Sequence, residues 1–204
     1  MNRHTIIRLV GLLVLIIGWN LADTRQEASL QSVATRSITK DDYLVYSALI
    51  RTMPKSVTGV PVLIYNKVTP CPICIEKRSG IEESYLKKFP SIPLEAVQDF
   101  LNMNRSDDRS LLGEHFTLPQ SYVLIQDVLL NYFERKQRFR ELRDQYKGAD
   151  NILLLSRIGF NRKRNQALLN IGFLNEWGGG WNCVYLRKRG GIWHVIDTKT
   201  ILTS

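Results

Sequence analysis

The apolar pattern opens with an uninterrupted run, Leu9-Val-Gly-Leu-Leu-Val-Leu-Ile-Ile-Gly-Trp19, behind a short lead that holds Arg3, His4 and Arg8 and no acid. A basic lead and a short apolar core are the layout of a secretory signal. The run falls short of the roughly 20 residues that cross a bilayer. Extended over residues 6–22, with Arg8 snorkelling at the cytoplasmic face, it also fits a retained inner-membrane anchor. Residues 1–22 are therefore read as a signal peptide or N-terminal membrane anchor. Residues 23–37 are polar, without apolar periodicity, and read as a linker. A single domain is expected over 38–204.

Within that domain the spacing is helical first and strand-like later. Thr39 and Asp42 form a capping-box pair, and Tyr43, Tyr46, Ser47, Ile50 and Met53 recur on one helical face until Pro54. Val60-Pro-Val-Leu-Ile-Tyr65 reads as a strand. Ser79 with Glu82 predicts a helix through Phe89, and Pro93 opens another whose apolar face is Leu94, Val97, Phe100 and Leu101. Ser121 to Ile125 reads as a second strand. A long helix is expected from Asp127 to Lys147, with Leu129, Tyr132, Phe133, Phe139, Leu142 and Tyr146 buried. The period then switches to two: 151–160, 166–173, 181–188 and 192–202 are strand candidates, and Gly190-Gly191 is a hairpin turn signal. Pairing about that turn puts Arg189 opposite Ile192 and Cys183 near Thr198. The predicted fold is α+β, with helices packed on one face of a C-terminal antiparallel β-meander of about four strands.

Composition adds that the chain can build a core: 44% of its 204 residues are hydrophobic and 23% charged. A multidomain enzyme is excluded by length, and disorder by the apolar content. The net charge is +9, and its placement matters more than its size. Residues 23–126 carry 12 basic and 12 acidic side chains, whereas residues 127–204 carry 14 and 7. The excess lies in the long helix and in two turns, Arg162-Lys163-Arg164 and Arg187-Lys188-Arg189. These six cations are candidates for contact with anionic lipid head groups or another envelope polyanion. Turns at opposite ends of strands need not converge. On the helix, Glu134, Glu141 and Asp144 interrupt the basic face with intrahelical pairs. Nucleic acid is not an expected partner for an exported chain.

Cys71-Pro-Ile-Cys74 is the sharpest local motif. Two cysteines at this spacing, after a strand and before a helix, are a redox pair in thioredoxin-like proteins and a structural disulfide in an oxidising compartment. The downstream order, a long helix and then four strands, does not match a thioredoxin-like domain, and the helix starts too late to set its dipole on Cys71. Envelope thiol-disulfide exchange through Cys71 and Cys74 is the alternative to a binding role. A zinc set of Cys71, Cys74, Cys183 and His194 would need Cys183 and His194 side by side, which the hairpin register denies, so no metal site and no cofactor are assigned. His4 belongs to the targeting segment and His115 to a loop. No hydrolase elbow, phosphate-binding loop or metalloprotease helix is present, so no catalytic residue is assigned and the chain leans away from being an enzyme.

The stretch Leu153-Leu-Leu-Ser-Arg-Ile-Gly-Phe-Asn161, followed by Gln166-Ala-Leu-Leu, a Gly-rich turn, the strand Trp181 to Leu186 and Gly191-Ile-Trp-His-Val, resembles a family of small uncharacterised exported bacterial proteins. The resemblance is closest over residues 150–204. It implies a periplasmic or cell-envelope location and a meander, and it brings no activity or ligand. Where members of that family often carry Cys near the Gly-rich turn, this chain has Glu176-Trp177-Gly-Gly-Gly. The architecture is also similar to nuclear-transport-factor-2-like domains, in which helices cover a curved sheet. That likeness implies a cone in which Asp197 or His194 would be the first acid or base to test.

Overall fold

The computed structural model describes residues 36–53, 59–70, 74, 80–105, 112–126, 132–146 and 148–203, with the side chains of 132–134 left out. The targeting segment, most of the linker, Cys71 and Ser79 lie outside these residues. All described elements belong to one compact unit, Arg36–Ser204, which is α+β. Its helices are α1 (Lys40–Arg51), α2 (Ile81–Lys88), α3 (Leu94–Asn104) and α4 (Tyr132–Gln145). Its strands are β1 (Val62–Tyr65), β2 (Tyr122–Ile125), β3 (Ile152–Leu155), β4 (Gly159–Phe160), β5 (Gln166–Leu174), β6 (Gly179–Arg189) and β7 (Ile192–Thr203).

The capping box forms as the sequence dictates. The Thr39 side chain accepts from the Asp42 backbone, and the Asp42 carboxylate accepts from Thr39 N at 2.7 Å. α2 begins at Ile81 behind Gly80, whose φ of 80° is the left-handed region that favours glycine; Ser79 of the second box lies outside the described residues. α4 is described from Tyr132. Of its expected stripe, Phe139 and Leu142 are buried and Tyr146 is half-buried, while Leu129 lies outside the described residues.

All seven strands join one mixed sheet of order β2-β1-β3-β5-β6-β7, with β4 pairing onto β5. β5, β6 and β7 are the expected antiparallel meander. The early strands are not separate from it: β1 lies parallel between β2 and β3 and extends the sheet. Val62-Leu-Ile-Tyr65 and Ile152-Leu-Leu-Leu155 lack alternation because both of their faces are covered.

Helices pack on both faces rather than one. On the first face α1 buries Tyr46, Leu49 and Ile50 against Leu155, Leu169, Val184 and Leu186. On the second, α2 and α3 bury Tyr85, Phe89, Val97 and Phe100 against Leu168, Cys183 and Tyr185, and α4 buries Phe139 and Leu142 against Leu63, Ile125 and Ile152. Adjacent residues such as Leu168 and Leu169 point into opposite cores, which is the two-residue period at work.

The run expected as one strand over 151–160 breaks at Ser156-Arg157-Ile158 into β3 and β4. The polar groups of the break are buried and satisfied by side chains distant in sequence. Asn104 accepts from Arg157 N at 3.0 Å and donates to Arg157 O at 3.0 Å; Ser156 Oγ accepts from Asn170 N at 2.8 Å; Tyr46 OH donates to Ser156 O at 2.7 Å. β4 then lies so close to α3 that a Cβ on Gly159 would fall 2.2 Å from Phe100 N and 2.4 Å from Ala96 O. Only glycine fits there.

Candidate anion-binding surface

The turn joining β4 to β5 is built by Asn161. Its Oδ1 accepts from the backbone of Asn165 at 3.0 Å and Gln166 at 3.1 Å, and its Nδ2 donates to Asn165 Oδ1 at 2.9 Å. This staple projects Arg162 and Lys163 outward and holds Arg164 at φ 48°, a left-handed conformation. The β6–β7 turn is the two-glycine hairpin that the sequence signals. Gly190 and Gly191 have φ of 56° and 81°, as a type I′ turn requires, and Arg189 pairs with Ile192.

The two turns converge. β5 starts at Gln166 beside Arg187, near the end of β6, and Lys188 N donates to Asn165 O at 2.8 Å. All six sequence-assigned cations, Arg162, Lys163, Arg164, Arg187, Lys188 and Arg189, therefore stand at one end of the sheet.

They divide into two sets. Arg164 Nε lies 3.5 Å and Lys188 Nζ 3.8 Å from the two oxygens of Asp41 in the first turn of α1. Arg164 also sits 4.1 Å over the Phe160 ring and Lys188 5.6 Å over Trp193. Arg187 donates to Tyr185 OH at 2.9 Å, and that hydroxyl donates to Gln166 Oε1. Arg162, Lys163 and Arg189 are exposed, with no carboxylate partner among the described residues. Beside Arg189, at the start of the edge strand β7, Ile192 is 63% exposed. Sequence reasoning named the cations but missed Asn161, Asp41 and Ile192. Exposure of Ile192 was legible only in part, as the residue directly after a two-glycine turn.

The other candidates fall elsewhere. Cys74 is buried beneath the sheet, its Sγ 3.5 Å from Tyr85 OH and 3.7 Å from Asn170 Nδ2; Asn170 also donates to Tyr85 OH at 3.2 Å. Burial pushes the Tyr85 hydroxyl pKa well up, with the nearby Cys183 and Cys74 adding to it. Cys71 lies outside the described residues, so the pairing of Cys71 with Cys74 is not seen. Cys183 pairs with Lys199, one position beyond the expected partner, because irregularities in the β6–β7 ladder insert extra residues into β7. His194 pairs with Arg187 and is exposed, so it and Cys183 are not neighbours. Among the described residues no three His, Cys, Asp or Glu side chains gather as a metal-binding group. Asp197 and His194 stand on β7 and line none of the three described concavities. One, about 460 Å³, is bounded by Ile50, Val60, Leu63, Leu153 and Phe173; another, about 660 Å³, follows β2; the third, about 130 Å³, lies by Phe173, Trp181 and Leu202. His115 is exposed against the Tyr43 ring, with 5.1 Å between centroids.

Fold and surface together define a small α+β domain with a mixed, two-faced sheet and a cationic end. No protein-family model matches the chain, and no curated protein or solved structure matches it. Among the described residues no helix is long and apolar enough to cross a membrane; residues 6–22 lie outside that search.

Proposed function

We propose that the chain is an exported or membrane-tethered, non-enzymatic binding domain whose cationic end contacts anionic lipid head groups in the cell envelope. The N-terminal apolar run and the resemblance to exported proteins support the location. The observation that carries the contact is the meeting of two basic turns at one end of the sheet, with the exposed Ile192 beside Arg189. Each lysine or arginine close to an anionic membrane contributes about 1 kcal/mol, so Arg162, Lys163 and Arg189 together supply about 3 kcal/mol. Inserting Ile192 among the acyl chains adds about 1.5–3 kcal/mol. That is weak for a free protein and useful for one already held near the membrane by its N-terminus.

The test is co-sedimentation with phosphatidylglycerol-containing vesicles against phosphatidylcholine vesicles. Binding is expected only to the anionic ones, and it should weaken with salt. Ile192→Ser should weaken vesicle binding severalfold while leaving adsorption to a soluble polyanion such as heparin unchanged. Equal binding to neutral vesicles would remove the electrostatic account. An Ile192→Ser variant that binds vesicles normally would point instead to a polyanion as the partner.

A further inference from the structure

β7 ends the sheet, and among the described residues no strand pairs with its outer side. It runs from Ile192 to Thr203, about twice the usual five to six residues of a strand. A long edge of this kind presents open backbone donors and acceptors that invite another strand. Two of the six exposed large apolar side chains among the described residues also lie on its 193–203 stretch: Ile196 and Leu202.

We propose that β7 pairs antiparallel with β7 of a second copy of this chain, forming an isologous dimer with a continuous sheet. Charge selects the register. Asp197 and Lys199 sit on one face of β7, 3.1 Å apart. When the two-fold axis passes through Thr198, each Asp197 faces Lys199 of the other copy, giving two cross-strand pairs of opposite sign. The same register brings Trp193 opposite Thr203, with the extra residues of β7, Ile196 and Ile201, flanking the regular central overlap. Only Ile192 is left outside, free for the contact proposed above. Ladder irregularities against β6 fall between Trp181 and Asn182 and between Tyr185 and Leu186. The stretch Asp197–Thr200 between them is regular, and Thr198 lies within it. A symmetric interface of this kind pairs the same patch on both copies. A single strand pair buries less than the standard interface, so the dimer is a weak one. It stands on different residues from the cationic surface, and either can fail without the other.

Cross-linking at the axis reads a weak dimer directly. Across an antiparallel pair two Cα atoms stand roughly 4.5–5.5 Å apart, inside the disulfide range. With the full chain at roughly 100 μM, where a micromolar dimer is populated, Thr198→Cys should give at least tenfold more covalent dimer on mild oxidation than His194→Cys. His194 would face Leu202 of the second copy, leaving its own two copies roughly 26 Å apart at about 3.3 Å per residue. The parent chain supplies the background from its native cysteines. Adding Asp197→Lys to Thr198→Cys should abolish the cross-link, and adding Lys199→Asp as well should restore it. A Thr198→Cys yield no higher than that of His194→Cys or the parent overturns the proposal. So does a cross-link indifferent to the charge reversals.

Discussion

Two regions of this molecule are rich in positive charge and deploy it differently. On α4 three of the cations have partners nearby, while Arg140 is exposed. Arg143 bonds Glu176 at 2.7 Å with Asp150 at 3.6 Å, Arg138 pairs with Glu141 at 3.5 Å, and Lys136 lies 4.8 Å over the Trp177 ring. The hydrogen bond that Arg143 donates to Glu176 leads the causes that raise the Arg143 pKa above its ordinary value. At the sheet end only two of the six cations, Arg164 and Lys188, reach a described carboxylate, Asp41, and three others face solvent. Charge counted along a chain therefore does not mark a surface. What marks it is where the carboxylates fall once the chain has folded.

That contrast breaks most readily at the foundation of the sheet end. Gly159→Ala would force a Cβ into the α3 backbone, and overpacking of this kind costs about 2–3 kcal/mol. Urea denaturation should show that loss, and an unchanged midpoint would mean that β4 does not pack on α3 as described. Asn161→Ala removes the turn's staple and leaves two backbone donors without it. A loss of about 1–2 kcal/mol is expected, with weaker vesicle binding as Arg162 and Lys163 lose their fixed direction. Asp41→Asn acts in the opposite sense. It releases Arg164 and Lys188, so anionic-vesicle binding should tighten about threefold, less than the full 1 kcal/mol of a charge at the membrane surface. A decrease there would show that Asp41 holds the turns in place rather than competing for their charge.

Local chemistry made part of this fold legible in advance. The Thr39–Asp42 box and the Gly190-Gly191 turn depend on a few neighbouring residues, and both formed with the expected partners. The break at Ser156 depends on Asn104, Asn170 and Tyr46, and no local pattern announces partners 14 to 110 positions away. The parallel placement of β1 between β2 and β3 is equally non-local, and so is the helical cover on both faces. Convergence of the basic turns was within reach of the sequence. In a meander, turns alternate between ends, so the turn before β5 and the turn after β6 must lie together. That inference needed only the strand order, not the contacts. Asp41 gave no signal, being one of two adjacent acids in a first helical turn where either suits the helix dipole.

The most direct measurement sets the two basic regions against each other at equal charge. Arg162→Glu with Arg189→Glu, and Arg138→Glu with Arg140→Glu, change the net charge by the same amount. Affinity for anionic vesicles should fall at least tenfold for the first pair, as expected when about 1 kcal/mol per cation is lost and then reversed, and stay within about twofold for the second. Equal losses from both pairs would contradict the account, because binding would then follow total charge rather than the meeting of the two turns.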